Sequence, residues 1–331
     1  MKVPESGKRK PSISFIITDY NIPEEMLREC VESVLAVNLT DDEREIILVD
    51  DGSEVPPTTT LERYGSHIRY FRQDNKGLSA ARNAGIGLAT GIYIQFVDGD
   101  DRLVKEGYDK VIAHLKTHKS TAATTANTDI VMFRFTTTDN SKTPNATART
   151  TFRHTTGRRF LQENNLRAAA CGYLFRRETL GDLRFEDGIY HEDDLFTPLL
   201  LCQAGSVTLA SATAYYYRQR DTSIINAREK RHIEKRFEDI LHVITRLKQL
   251  SEEPSYKPLE RRVNQLCMDY LYLVAAITGD YGRFCDAASS LKASRLYPLP
   301  LHIYTLKYWC FSVMTQTKAG SRLAFKCMSR R

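Results

Sequence analysis

The sequence predicts an α/β fold: a Rossmann-like, mostly parallel central sheet with flanking helices, followed by a helical C-terminal region. Three observations predict it. Short apolar runs rich in β-branched residues recur through residues 11–225, each closed by turn formers. The first two runs are joined by a helical pattern within about forty residues, which is the βαβ unit of a parallel sheet. From residue 226 onward the apolar spacing changes to a period of 3.6.

The first run is Ser12–Thr18, followed by Asp19-Tyr20-Asn21 and then Pro23, well placed in the first turn of a helix. Met26, Leu27, Cys30, Val31, Val34 and Leu35 recur at helical spacing, so this helix packs back on the sheet. Glu45–Val49 is the second strand and ends in Asp50-Asp51-Gly52-Ser53. After Pro56, Pro57 and a threonine run entering a short helix, His67–Arg72 is the third strand. Small residues in Asn75–Gly85 suit a helix start approached closely by a ligand, with Arg82 one turn inside and able to face a phosphate. Tyr93–Val97 is a buried strand that delivers Asp98-Gly99-Asp100-Asp101 at its C-terminal end, where open α/β sheets bind ligands. Three acids in four positions repel one another unless a cation neutralises them, and Mg²⁺ or Mn²⁺ carrying nucleotide phosphates suits such carboxylates. The plainer reading is a solvated turn with Asp101 as the N-cap of the next helix.

Composition bounds the function. A chain of 331 residues, 42% hydrophobic and 27% charged, buries a real core and is ordinary for a soluble globular protein. The net charge of +6 admits an anionic small molecule or a membrane surface and does not call for nucleic acid. Seven scattered cysteines without a CxxC pair read as reduced thiols, not a disulfide framework or a zinc site. The polar start at residues 1–10 is no signal peptide, and no run of about 18 apolar residues predicts a membrane span. A cytoplasmic setting is therefore expected, and the sequons at Asn38 and Asn145 carry no weight without a secretory route.

The order Ile17–Asn21, Val49–Ser53, Asn75–Gly85 and Phe96–Asp101 resembles glycosyltransferase family 2, over about residues 11–220. That resemblance implies a GT-A fold and an inverting transfer from a nucleotide sugar. It implies that Thr18 and Tyr20 line the nucleobase pocket, that Asp51 accepts from a uracil imide, and that Arg82 approaches the pyrophosphate. Asp98 and Asp100, with Gly99 between them, match the family's DxD motif, Asp98 toward the ribose or sugar and Asp100 the metal ligand. Asp19 departs from the small or apolar residue many relatives carry there, which leaves the nucleotide open, with UDP preferred.

In the second half Asp129–Phe135 is a strand, Thr136–Thr151 a polar loop or hairpin, and Ala170–Arg177 a short strand. Glu192, Asp193 and Asp194 open the helical pattern of Leu195, Phe196, Leu199, Leu200 and Leu201, where a helix N-terminus stabilises negative charge. An acceptor hydroxyl must lose its proton as it attacks, and a carboxylate can take it. Glu192-Asp193-x-x-Phe196 matches the family's ED motif, which implies Asp193 as the base; Asp194 and His191 are rivals, and helix capping is the bland alternative.

Val207–Ala210 and Ala214–Arg218 are expected as two closing strands, with Arg218, Arg220 and Ser223 covering a diphosphate or serving as a basic junction. The domains expected are a tail at 1–10, a catalytic domain at 11–225 with its donor half at about 11–105 and its acceptor half at about 106–225, and a helical region at 226–331. In the last, Ile233, Phe237, Ile240, Leu241, Ile244 and Leu247 keep helical spacing, and after a break at Pro254–Pro258 a second helix follows. The aromatic stretch 296–311 and the basic residues beyond it read either as a helix seated on an anionic membrane or as one packed on the protein. The expected activity is transfer of a monosaccharide to a glycan or lipid-linked acceptor in bacterial surface-polysaccharide synthesis. The rivals are a sugar-1-phosphate nucleotidyltransferase, which should carry a glycine-rich basic loop after its first strand, and a non-catalytic carbohydrate-binding or scaffolding subunit.

Overall fold

The computed structural model describes residues 10–118, 128–138, 149–219 and 230–329. They form two compact units. One comprises the described residues of Met1–Gly157, Ala168–Gly188 and Leu199–Ser223; the other comprises those of Arg158–Arg167, Ile189–Pro198 and Ile224–Arg331.

The first unit is built on β1 (Ile13–Asp19), α1 (Glu24–Leu35), β2 (Arg44–Asp50), α2 (Thr58–Tyr64), β3 (Ile68–Arg72), α3 (Leu78–Leu88) and β4 (Tyr93–Asp98). These strands lie parallel in the order β3-β2-β1-β4, as the strand–helix alternation predicts. Every residue of β1 is buried, which fits a central strand covered on both faces. Helix α1 turns Leu27, Cys30, Val31 and Val34 into the core that holds Phe15, Ile17, Ile46 and Leu48. Each such apolar side chain contributes roughly 1.5–3 kcal/mol through burial. The register pairs Thr18 with Asp98 and Asp19 with Asp50, so the acidic strand ends fall in one row.

The sheet continues as β4-β8-β6-β9-β5, with β7 also on β9. Its members are β5 (Arg102–Leu103), β6 (Ile130–Thr136), β7 (Phe152–Thr155), β8 (Tyr173–Arg176) and β9 (Val207–Tyr216), with helices α4 (Lys105–His118), α5 (Gly157–Glu163) and α6 (Glu192–Gln203) in the same stretch of chain. Strand β8 runs antiparallel between β4 and β6, whereas β9 is parallel to β6. Two expectations change. The closing segment is one ten-residue strand, because Ala210, Ala212 and Ala214 face inward and Ser211 and Thr213 outward, which keeps the period of two through the small residues. Residues Ala170–Gly172 form a 3₁₀ turn, and only Tyr173–Arg176 are extended.

The second unit contains α7 (Lys230–Leu250), α8 (Glu260–Thr278), α9 (Tyr281–Ala293), α10 (Leu306–Thr315) and α11 (Lys318–Met328). Phe237, Ile240, Ile244 and Leu247 are buried, as their spacing predicts, and the proline-rich break is a 3₁₀ turn at Pro254–Leu259. The aromatic stretch is divided: Tyr308 and Phe311 of α10 are buried while Leu306, Trp309 and Val313 are exposed. No helix among the described residues is long and apolar enough to cross a membrane. Arg220, Ser223, the expected helical onset at Asn226 and most of the loop expected at 136–151 lie outside the described residues.

Candidate active site

In the first unit the ends of β1, β2 and β4 meet at one edge. Thr18 is the penultimate residue of β1, and its carbonyl accepts from Gly99 N at 3.0 Å. A Cβ on Gly99 would stand 2.7 Å from that oxygen, so the turn after β4 can lie this close to β1 only with glycine. Tyr20 follows, with an exposed ring. Asn21 N donates to Ser53 Oγ at 2.9 Å and its side-chain oxygen accepts from Glu54 N at 2.8 Å, which ties the β1–α1 turn to the β2–α2 turn. Asp19 caps its own turn through Ile22 N at 3.2 Å. Burial, with the charges of Asp50 and Glu24, pushes its carboxyl up to about 6 against that one hydrogen bond.

Asp51 is buried and already engaged. Its Oδ1 accepts from Gln73 Nε2 at 2.7 Å and from Lys76 N at 3.0 Å, and its Oδ2 from Gly77 N at 2.7 Å. It therefore clamps the loop leading into α3. Gly77 has φ +89° and ψ 167°, a conformation essentially reserved for glycine, which lets that amide turn toward the carboxylate.

Arg82, only 2% exposed, extends from α3 to Asp98, Nη2 to Oδ1 at 3.0 Å. Its guanidinium lies over Phe185 at 5.3 Å and Phe96 at 5.8 Å. Asn83 fixes the Phe185 backbone from the same helix, donating to its carbonyl and accepting from its N–H, both at 2.9 Å. Planar stacking and a directed N–H are both arginine properties. The structure thus gives the buried Arg82 a half-buried partner in the acidic turn.

The acids after β4 alternate: Asp98 and Asp100 are half-buried and Asp101 is buried. Asp101 is not an N-cap, since α4 begins only at Lys105. Its Oδ2 accepts from Tyr215 Oη and its Oδ1 from Arg218 N, each at 2.8 Å. Tyr215 Oη in turn accepts from Asp98 N at 3.1 Å, and Arg218 Nε donates to Asp100 O at 2.8 Å. Burial, followed by the charge of Asp98, pushes the Asp101 carboxyl up to about 8. Ligand atoms of Asp98, Asp101 and Cys171 lie within 4.8 Å of one another. A thiol is a poor ligand for a hard divalent ion, so Cys171 borders this group without defining it. The Asp101–Tyr215–Arg218 bracing was missed by sequence reasoning; the tyrosines at 215–217 were its one signal.

The second unit carries Asp193. It sits in the first turn of α6 between Glu192 and Asp194. Asp194 is paired: Arg262 Nη2 donates to its Oδ1 at 2.5 Å, and His191 Nδ1 lies 3.5 Å from its Oδ2. Burial alone would raise the Asp194 carboxyl, but the hydrogen bond from His191 and the Arg262 charge hold it below the ordinary range. Arg262 Nη1 also donates to Leu166 O at 3.0 Å, which fixes the guanidinium. His191 has φ +63°, uncommon for a residue with a Cβ. Tyr190 N donates to Asp239 Oδ2 at 2.8 Å and Tyr190 Oη pairs with His232 Nδ1 at 2.9 Å, so the segment entering α6 is anchored to α7. Nothing in the local sequence marked Arg262.

The profile of the family described as glycosyl transferase family 2 matches residues 14–184, just over half of the chain. The chain is 27% identical over 237 residues to the putative glycosyltransferase EpsH of Bacillus subtilis, covering 68% of this chain and 65% of that protein. It is 46% identical over 94 residues to the uncharacterized glycosyltransferase EpsJ of the same organism, 28% of this chain and 26% of that one. Against the minor teichoic acid biosynthesis protein GgaB, also of B. subtilis, identity is 28% over 218 residues, 63% of this chain and 23% of that protein. The chain thus spans less than two thirds of the length of each of these relatives. Among solved structures, residues 1–349 of S. aureus TarS in complex with UDP-GlcNAc superpose with a TM-score of 0.66 at 18% identity, over 96% of this chain and 90% of that one. The mannosyltransferase PcManGT of Pyrobaculum calidifontis, in complex with GDP-Man and Mn²⁺, gives 0.53 at 14% identity, over 97% and 87%. The shared fold is the GT-A fold. Four ordered motifs, the row of acidic strand ends and the profile match agree: this chain belongs to glycosyl transferase family 2, a family of transferases.

Proposed function

We propose that the protein transfers a monosaccharide, with inversion, from a nucleoside diphosphate sugar to a glycan or lipid-linked acceptor in bacterial surface-polysaccharide synthesis, at the cytoplasmic face of the membrane. The observation that carries this reading is the acidic row: two half-buried carboxylates, Asp98 and Asp100, beside a buried third, Asp101, whose proton affinity is raised first by burial and then by their charge. Such surplus negative charge suits a hard divalent cation, and the oxygens of Asp98 and Asp100 fit Mn²⁺ or Mg²⁺. Bound there, the ion would supply charge neutralisation for the departing diphosphate.

The chain's own residues do the rest. Tyr20 offers an exposed ring on which a base stacks, and Thr18 and Asp51 bound the same pocket. Three donors already occupy Asp51, so one lone pair remains for the imide N–H of a pyrimidine base, and UDP is the preferred carrier. Arg82 orients Asp98 and brings positive charge toward the phosphates. Asp193 takes the proton of the acceptor hydroxyl as that oxygen forms its bond to the anomeric carbon and the bond to the diphosphate breaks. Asp194 is engaged by Arg262 and His191, and the match of Glu192-Asp193-x-x-Phe196 to the family's ED motif supports Asp193 for this role. Asp193→Asn is expected to lower kcat by roughly 10²–10⁴ while leaving nucleotide affinity unchanged. Undiminished turnover by that variant, measured as nucleotide release with acceptor present, would remove Asp193 from the role.

A further inference from the structure

Charge is divided unevenly along this chain. Residues 287–331 hold eight Lys and Arg and no Asp or Glu, so they contribute +8, and with a total of +6 the preceding 286 residues carry −2. Lys292, Arg295, Lys307, Lys318, Arg322 and Lys326 are all exposed. Lys307 lies over the Tyr272 ring at 4.9 Å and Arg322 over the Tyr281 ring at 5.5 Å, but with no acid in the segment the like charges repel one another.

The same segment shows an apolar face. Helix α10 buries Tyr308, Phe311, Ser312 and Thr315. Its opposite side presents Leu306, Trp309 and Val313, which are 75%, 42% and 43% exposed. Their spacing of three and four residues places them in one stripe. Ile303, 84% exposed, precedes the stripe in the approach to the helix. Single exposed apolar residues are common, but a periodic stripe that includes the chain's one tryptophan is not.

We propose that this face of α10, with the basic residues of α10 and α11, is a docking surface for an anionic lipid bilayer, lying in the headgroup layer without crossing it. Apolar side chains would enter the acyl boundary while the ammonium and guanidinium groups meet lipid phosphates. Charge complementarity selects this occupant: a second copy of the chain would set +8 against +8. The ten residues of α10 are too short to span a bilayer, which limits the contact to the surface. This docking needs nothing from the transfer reaction, and its failure would leave that reading untouched.

Trp309 is a built-in reporter. The full chain is mixed with vesicles of phosphatidylcholine alone or containing about 30% phosphatidylglycerol, in about 0.15 M salt. The expected result is a blue shift of Trp309 emission and co-flotation with the anionic vesicles only. A Leu306→Ser/Val313→Ser variant, which keeps the reporter and should melt with the parent, is expected to lose about tenfold or more in partition. Lys318→Glu/Lys326→Glu should lose binding and become insensitive to added salt. No shift with anionic vesicles, an equal shift with neutral ones, or a blue shift that follows protein concentration without lipid would overturn the proposal, the last by showing that a second copy covers the stripe.

Discussion

Asp19 shows how a single carboxyl can be placed for geometry at a cost in stability. Its side chain caps the β1–α1 turn through one amide, yet burial beside Asp50 and Glu24 pushes its carboxyl up to about 6. The folded chain thus keeps a proton that the unfolded chain has released once the pH exceeds the ordinary aspartate value. Stability from this group is therefore present below about pH 4 and is lost as pH rises toward 6. Asp19→Asn retains an oxygen for Ile22 N and cannot ionise. Thermal melts across pH should show the variant gaining up to about 3 kcal/mol above pH 6 and nothing below pH 4. A gain independent of pH would mean that packing, not ionisation, separates the two proteins. The identity of residue 19 was legible in the sequence, but its burial was not: an acid after a strand looks the same whether it faces solvent or caps a turn.

At the scale of elements, β9 braces the turn that follows β4. The two are far apart in sequence, and the tie is one hydroxyl: Tyr215 Oη donates to Asp101 and accepts from Asp98 N. Strands β1 and β2 were legible because each holds a continuous apolar run, β4 because its apolar residues are broken only by Gln95, and α1 because its apolar residues keep a clean 3.6 period. Strand β9 was read as two because its inward face at 210, 212 and 214 is alanine, too small to register as an apolar alternation. The parallel register that lines up Thr18 with Asp98 follows once β1 and β4 are assigned, whereas the pairing of Asp101 with Tyr215 depends on where a later strand lands. Tyr215→Phe tests the brace. It leaves the ring packed and removes a partner from the buried Asp101 carboxyl and from Asp98 N, so a loss of about 1–3 kcal/mol is expected in denaturant unfolding. A change below a few tenths would show that neighbouring donors replace the hydroxyl.

For the whole molecule the question is which acids act on the donor and which on the acceptor. The motif residues of the first unit were legible as a set because four short patterns occur in order. Asp193 could be singled out as a candidate only beside them, and its neighbour's partner Arg262, 68 residues from Asp194, could not, since a guanidinium that stabilises a helix start carries no local signature. The division makes a thermodynamic prediction. A ligand that binds only the folded state raises stability by about 2.7 kcal/mol at a hundred times its dissociation constant. Thermal shift with UDP or a UDP-sugar, with and without Mn²⁺, should therefore raise the melting point of the parent, with the ion increasing the effect. Asp100→Ala should abolish the ion's increment while leaving part of the nucleotide's own, because Tyr20 and Asp51 remain. Asp193→Asn should keep both increments and lose turnover. If Asp193→Asn instead lost the ion's increment while Asp100→Ala kept it, the two carboxylates would exchange roles, and the assignment of donor to the first unit and proton transfer to the second would fail.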